Sequence, residues 1–201
     1  MSEPFLVKDI RPGAGSSNAD NLTVVGDTLY FTADDGANGD ELWKSDGTEN
    51  GTVLVKDIRP GAYSSNADNL TAVGDTLYFS AFDGTNGTEL WKSDGTANGT
   101  VLVKDINPGV FDSYPRYLTA VGDTLYFTAN DGTNGAELWK SDGTENGTVL
   151  VKDIFPGTGS SNAYSLTAVG DTLYFQAFDG TNGTELWKSD GTENGTVLVK
   201  D

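Results

Sequence analysis

The chain has 201 residues, with 30 acidic against 12 basic side chains for a net charge of -18, and it contains neither histidine nor cysteine. Disulfides, thiolate or imidazole catalysis and cysteine- or histidine-ligated zinc are therefore excluded. A field of this sign repels nucleic-acid phosphates and anionic membrane surfaces, so neither is expected as a partner.

A chain of this length can bury roughly 70% of its unfolded surface. Its 9 Phe, 8 Tyr and 4 Trp argue for a real core despite 26 Gly. No apolar run approaches the ~20 residues needed to span a bilayer. Met-Ser-Glu-Pro-Phe at the start lacks the basic and apolar regions of a signal peptide, so none is expected in this chain. The missing cysteines do not choose between compartments.

In chain order the first predicted element is a short strand at 5–10. It carries Leu6, the first of five copies of Leu-Val-Lys-Asp, the others starting at Leu54, Leu102, Leu150 and Leu198. Four copies of one unit follow, at 11–58, 59–106, 107–154 and 155–201. Trp43, Trp91, Trp139 and Trp187 recur at a constant period of 48 residues, each inside Glu-Leu-Trp-Lys-Ser-Asp-Gly-Thr. A fixed period in this range marks a propeller, solenoid or array.

The second copy shows the unit. Residues 70–73 form a β-prone run, and Gly74-Asp75 supplies the positive φ of a tight II′ hairpin before the run at 76–81. A second turn at 83–87 leads to the strand 89–92, and a third at 94–99 leads to the outer strand 100–106. Pro108-Gly109 then breaks the pattern. Tyr78-Phe79, Leu90-Trp91 and Val101-Leu102-Val103 are apolar on both faces, so each sheet must be covered on both sides. Stacking like sheets radially solves this, and the expected fold is an all-β propeller built from four-stranded antiparallel blades, four per chain.

The Glu-Leu-Trp-x-x-Asp-Gly-Thr string resembles the signature of the ELWxxDGT repeat family of bacterial proteins, and the copies also share Gly-Asp-Thr-Leu-Tyr-Phe from Gly26, Gly74, Gly122 and Gly170. The resemblance implies a propeller-like fold in a bacterial surface or secreted setting, and no defined activity. The second and fourth copies differ at only seven aligned positions. Such regularity points to recent amplification, or to an excised or engineered piece of a longer array.

Five outer strands for four sets of the others leave one surplus. Either residues 5–10 complete the last blade and close a four-bladed ring, or the C-terminal copy does so and the N-terminal strand pairs elsewhere. Two chains closing one eight-bladed ring, a homodimer, is the preferred assembly, because unpaired strand edges drive association.

Four candidate sites are legible. Asp35, Asp83, Asp131 and Asp179 open Asp-Gly-x-Asn-Gly-x-Glu loops whose oxygens suit calcium, although the same dipeptides are what tight turns prefer. Asp46, Asp94, Asp142 and Asp190 recur unchanged, which fits a turn carboxylate bonded to local N–H groups better than a catalytic group. The tryptophans could stack sugars, but their place beside Leu in a central strand suits a core. The copies differ mainly at Arg11, Arg59, Tyr63, Phe111, Tyr114, Arg116, Tyr117, Phe155 and Tyr164 in the connections between units. They also differ at Asp34, Phe82, Asn130 and Phe178 before the second turn. These two connections should share one face of a propeller, a candidate binding face rich in the aromatics and Arg favoured at recognition sites.

The expected function is a non-enzymatic scaffold or interaction module that assembles through its blades, with no cofactor. A calcium-dependent adhesion module is the alternative. A glycan-active enzyme is less favoured, since no carboxylate pair is unique to one blade.

Overall fold

The computed structural model describes residues 4–201, and among them all regular structure is strand. Residues 1–3, part of the region read for a signal peptide, lie outside the described residues. No described helix is long and apolar enough to cross a membrane.

Blade 1 comprises β1 (Asp20–Val25), β2 (Thr28–Asp34), β3 (Asp40–Ser45) and β4 (Val53–Lys56). Blade 2 comprises β5 (Asp68–Val73), β6 (Thr76–Phe82), β7 (Thr88–Ser93) and β8 (Val101–Lys104). Blade 3 follows with β9 (Arg116–Val121), β10 (Thr124–Asn130), β11 (Ala136–Ser141) and β12 (Val149–Lys152). Blade 4 holds β13 (Tyr164–Val169), β14 (Thr172–Phe178), β15 (Thr184–Ser189) and β16 (Val197–Lys200). Each blade is one antiparallel sheet in sequence order, the β-propeller arrangement.

The local chemistry explains the strands. Gly74 has φ +56° while Asp75 stays at negative φ, the pattern of a II′ turn, and Val73 pairs with Thr76 across it. The outer strand is shorter than its apolar run suggests. It ends at Lys104, because Asp105 and Ile106 leave the sheet to meet the next blade. The inner strand begins earlier, at Asp68, with a bulge between Asp68 and Thr71 and Asn69 at φ +58°.

The doubly apolar runs pack between sheets. Leu77, Phe79, Ala81 and Trp91 of blade 2 meet Tyr30, Leu42, Val55 and Ile58 of blade 1 and its exit. Tyr78, Leu90 and Val103 turn the other way, onto Leu125, Phe127 and Trp139 of blade 3. The same cluster recurs between blades 3 and 4. Full burial of a Leu or Phe stabilises by about 1.5–3 kcal/mol, so these three seams hold the fold together. Trp91, Trp139 and Trp187 sit inside them as core residues, and Trp43 is equally buried in a separate cluster on the outer side of blade 1.

The arc of four blades stays open. Val121 is 8% exposed and Leu138 is 0%, but their counterparts Val169 and Leu186 in blade 4 are 60% and 45%. At the opposite end, Phe31, Ala33 and Trp43 of blade 1 are covered by Ile10 and the N-terminal segment. The C-terminal copy completes blade 4, since β16 pairs with β15, and residues 5–10 join no sheet.

Candidate functional site: the variable rim and the open end blade

The turn carboxylates are spent within their own turns. Asp83 Oδ1 accepts N–H bonds from Thr85 and Asn86, each at 2.8 Å, and Oδ2 accepts from Asn86 Nδ2 at 2.7 Å. The same bonds recur at Asp35, Asp131 and Asp179. The N–H groups of Asn182 and Thr181 hold the Asp179 carboxyl below its ordinary value. Each carboxylate serves a separate blade, and among the described residues no three acidic side chains gather as a metal-ion set.

Asp94 behaves likewise. Its Oδ1 accepts the Thr96 hydroxyl at 2.7 Å and the Thr96 N–H at 2.8 Å, and these bonds hold the carboxyl below its ordinary value. Thr96 Oγ1 in turn accepts from the Gly99 N–H at 2.9 Å. This closed circuit, present at Asp46, Asp142 and Asp190 as well, fixes the third turn of every blade.

The two variable connections do share a rim, and several of their variable residues are one another's partners. Arg11 pairs with Asp34. The Arg59 guanidinium lies 4.6 Å from the Phe82 ring centre and 4.8 Å from that of Tyr63. Phe155 meets Phe178 edge-on, with ring centres 5.2 Å apart. In blade 3, Asn107 takes this place and donates from Nδ2 to the Asp112 carbonyl at 3.0 Å. Tyr164 donates its hydroxyl to Gln176 at 2.9 Å on blade 4. Arg59, Phe155 and Tyr164 thus each have a partner within the chain.

The rest of the candidate face gathers on the third linker, which joins β8 to β9, and on the first residues of β9. Phe111, Tyr114 and Tyr117 are exposed, with Arg116 beside them. Tyr114 and Tyr117 sit at φ +48° and +58°, where the other blades carry Asn18, Asn66 and Asn162, and Asn21, Asn69 and Ser165. A bulky side chain in the left-handed region is unusual and costs stability. Tyr114, Pro115 and Arg116 line a cleft of about 570 Å³ with Asn66, Asp68 and Ser80 of the preceding unit. Tyr63 remains exposed at the second linker.

A second constellation lies at the seams. Glu41, Glu89 and Glu137 are fully buried in the strand before each tryptophan. Glu89 Oε2 accepts the Ile106 N–H and Oε1 the Ser113 N–H, both at 2.9 Å, so one carboxylate clasps the linker that runs to the next blade. Lys44, Lys92 and Lys140 each reach across to a carbonyl of the following blade, at Gly95, Gly143 and Gly191, all at 2.8 Å. On blade 4 the equivalent Glu185 and Lys188 face the open side without such partners among the described residues. Sequence reasoning counted these glutamates only as the last position of the Asp-Gly-x-Asn-Gly-x-Glu segments and missed their place in the seams. The signal was a carboxylate embedded beside Leu-Trp in an apolar strand, which burial permits only with dedicated donors.

The chain matches no protein-family model and no curated protein sequence. Among solved structures it is similar to puromycin hydrolase, with a TM-score of 0.60 and 14% identity over 92% of this chain and 30% of that one. It is also similar to a structure from a study of two prolyl endopeptidases, with a TM-score of 0.54 and 16% identity over 86% of this chain and 24% of that one. At such identities the likeness establishes the propeller fold alone. The chain spans less than a third of the length of either protein.

Proposed function

We propose that the chain is a non-enzymatic propeller scaffold that closes its ring with a second copy of itself. The observation that carries this reading is the open face of blade 4, which repeats the residues that make each internal seam yet leaves Leu186 45% exposed where Leu138 is fully buried. The opposite end of the chain offers the matching half, blade 1 with its N-terminal linker. Such an interface is heterologous, so it yields a ring if the rotation closes and a filament if it does not. Four blades leave the face open, and two copies supply eight. The third linker and the start of β9, with Tyr114, Arg116 and Tyr117, are the surface that remains for a partner on the rim.

Light scattering in solution tests the assembly. A mass of twice 21.2 kDa is expected. A mass of 21.2 kDa at all concentrations, or open-ended polymers, would overturn the reading.

A further inference from the structure

Ring closure raises a conflict that the 48-residue period makes explicit. Outer-strand lysines tie each blade to the next: Lys56 Nζ donates to the Thr100 carbonyl at 2.7 Å, Lys104 to Thr148 at 2.8 Å and Lys152 to Thr196 at 2.9 Å. Lys8 makes the same contact on blade 1, donating to the Thr52 carbonyl at 2.8 Å and to Glu49 at 3.3 Å. Lys200, at the fifth such position, makes none among the described residues. In a ring of two copies, Lys200 of one chain and Lys8 of the other fall on the same site. Each seam has one slot and two strands to fill it.

The two claimants are held very differently. The strand β16 is paired with β15, and the turn before it is closed by Ser189 Oγ and Thr196 Oγ1 at 2.7 Å. Residues 5–9 belong to no sheet, and Phe5 and Leu6 are each 77% exposed. They cover blade 1 loosely, leaving a cleft of about 280 Å³ against Leu29 and Phe31. From Ile10 onward the fit is native-like. Ile10 packs on the Phe31 and Trp43 cluster, and Asp34 donates its N–H to the Ser17 carbonyl at 2.9 Å, as Phe82 does to Ser65.

We propose, resting on the two-copy ring, that residues 5–9 are an internal plug, displaced by β16 of the second copy when the ring closes. Lys200 of the second copy then takes the Thr52 carbonyl from Lys8. Displacing the plug gives up the Lys8 bonds and little apolar burial, whereas evicting β16 breaks a strand ladder. The plug competes with assembly, because the apparent affinity falls with the fraction of chains whose blade 1 slot is vacant.

The full-length chain and two point variants test this by sedimentation equilibrium, with hydrogen exchange read on the same samples. Lys8→Ala loosens the plug and is expected to tighten the dimer several-fold. Lys200→Ala removes the incoming contact and is expected to weaken it about tenfold. Amides of residues 5–9, which join no sheet, should stay unprotected in the dimer, while those of β16 gain protection. A dimeric full-length chain in which Lys8→Ala weakens or leaves assembly unchanged, with residues 5–9 protected, overturns the plug and leaves the ring standing. Full-length and Lys8→Ala chains that are both monomeric overturn the ring itself.

Discussion

Glu89 receives both polar groups of Ser113, the N–H on Oε1 at 2.9 Å and the hydroxyl on Oε2 at 2.6 Å. Burial nevertheless outweighs these donors and pushes the carboxyl up to about 7, as it does at Glu41 and Glu137. The folded chain therefore holds these protons more tightly than the unfolded chain, whose glutamates titrate near 4.5. The stability they contribute is fully present below 4.5 and is lost as pH rises toward 7. Calorimetry across this window should show a melting temperature that falls with pH and then levels. Glu89→Gln should lose part of that slope. A melting temperature that climbs from pH 5 to 7, or an unchanged slope in the variant, would count against a neutral buried glutamate.

Two glycines at the same place in the repeat should respond differently to one methyl group. A Cβ on Gly87 would stand 2.1 Å from the Phe111 carbonyl oxygen of the next linker, at φ +73°. On Gly183, at φ +84°, it would meet nothing nearer than Glu185 Oε1 at 3.8 Å. Gly87→Ala combines backbone strain with a clash and is expected to cost about 3 kcal/mol in denaturant unfolding. Gly183→Ala should cost about 1–2 kcal/mol, the strain alone. In the ring, however, its methyl meets the linker of the second copy, so the dimer should be lost. A Gly183→Ala chain that keeps twice the monomer mass would remove the seam from blade 4.

The repeat made the blade legible because its runs answer to local rules. Gly74-Asp75 forms the hairpin that its composition demands, and Leu77 and Phe79 point opposite to Tyr78 because strand side chains alternate. The identical aspartates also read correctly as turn residues, since their partners lie two or three positions away. The rim was only half legible. That Arg59 would stack on Phe82, or Phe155 on Phe178, depends on two connections meeting across a blade. Part of the variation among the copies is mutual accommodation across a blade. The seam role of Glu89 was hidden for the same reason, because its donors at Ile106 and Ser113 lie 17 and 24 residues away.

Tyr114 and Tyr117 offer a test of what the third linker is for. Both hold left-handed backbone angles that Asn adopts at the equivalent places in blade 2, Asn66 and Asn69. Asn accepts this region because its short polar side chain bonds locally. Tyr114→Asn and Tyr117→Asn should each stabilise the chain, by about 1 kcal/mol, if the tyrosines are kept for contact with a partner and not for the fold. Denaturant midpoints would measure the gain. A loss of stability in both variants would mean that the tyrosines serve the blade, and would take the third linker out of consideration as a recognition surface.

The glutamates give the most direct reading of the seam, because one of the four is unused within the chain. Glu41, Glu89 and Glu137 each clasp the linker that follows, while Glu185 stands half-buried on the open face. By the repeat, its partners in a closed ring are the N–H groups of Ile10 and Ser17 of the second copy. Removing Glu89 strands buried donors inside a folded chain, so Glu89→Ala should cost about 1–3 kcal/mol of stability for each group left unpaired. Glu185→Ala should change unfolding of the single chain by no more than about 0.5 kcal/mol, as for a surface substitution. Its cost appears on association, where unpaired N–H groups should weaken the dimer by tenfold or more. Glu185→Gln should fall between, since an amide retains one acceptor oxygen but brings its own donors against the partner N–H groups. Equal losses of chain stability at Glu89 and Glu185, with assembly untouched, would show that blade 4 is finished by the chain itself and that no second copy completes it.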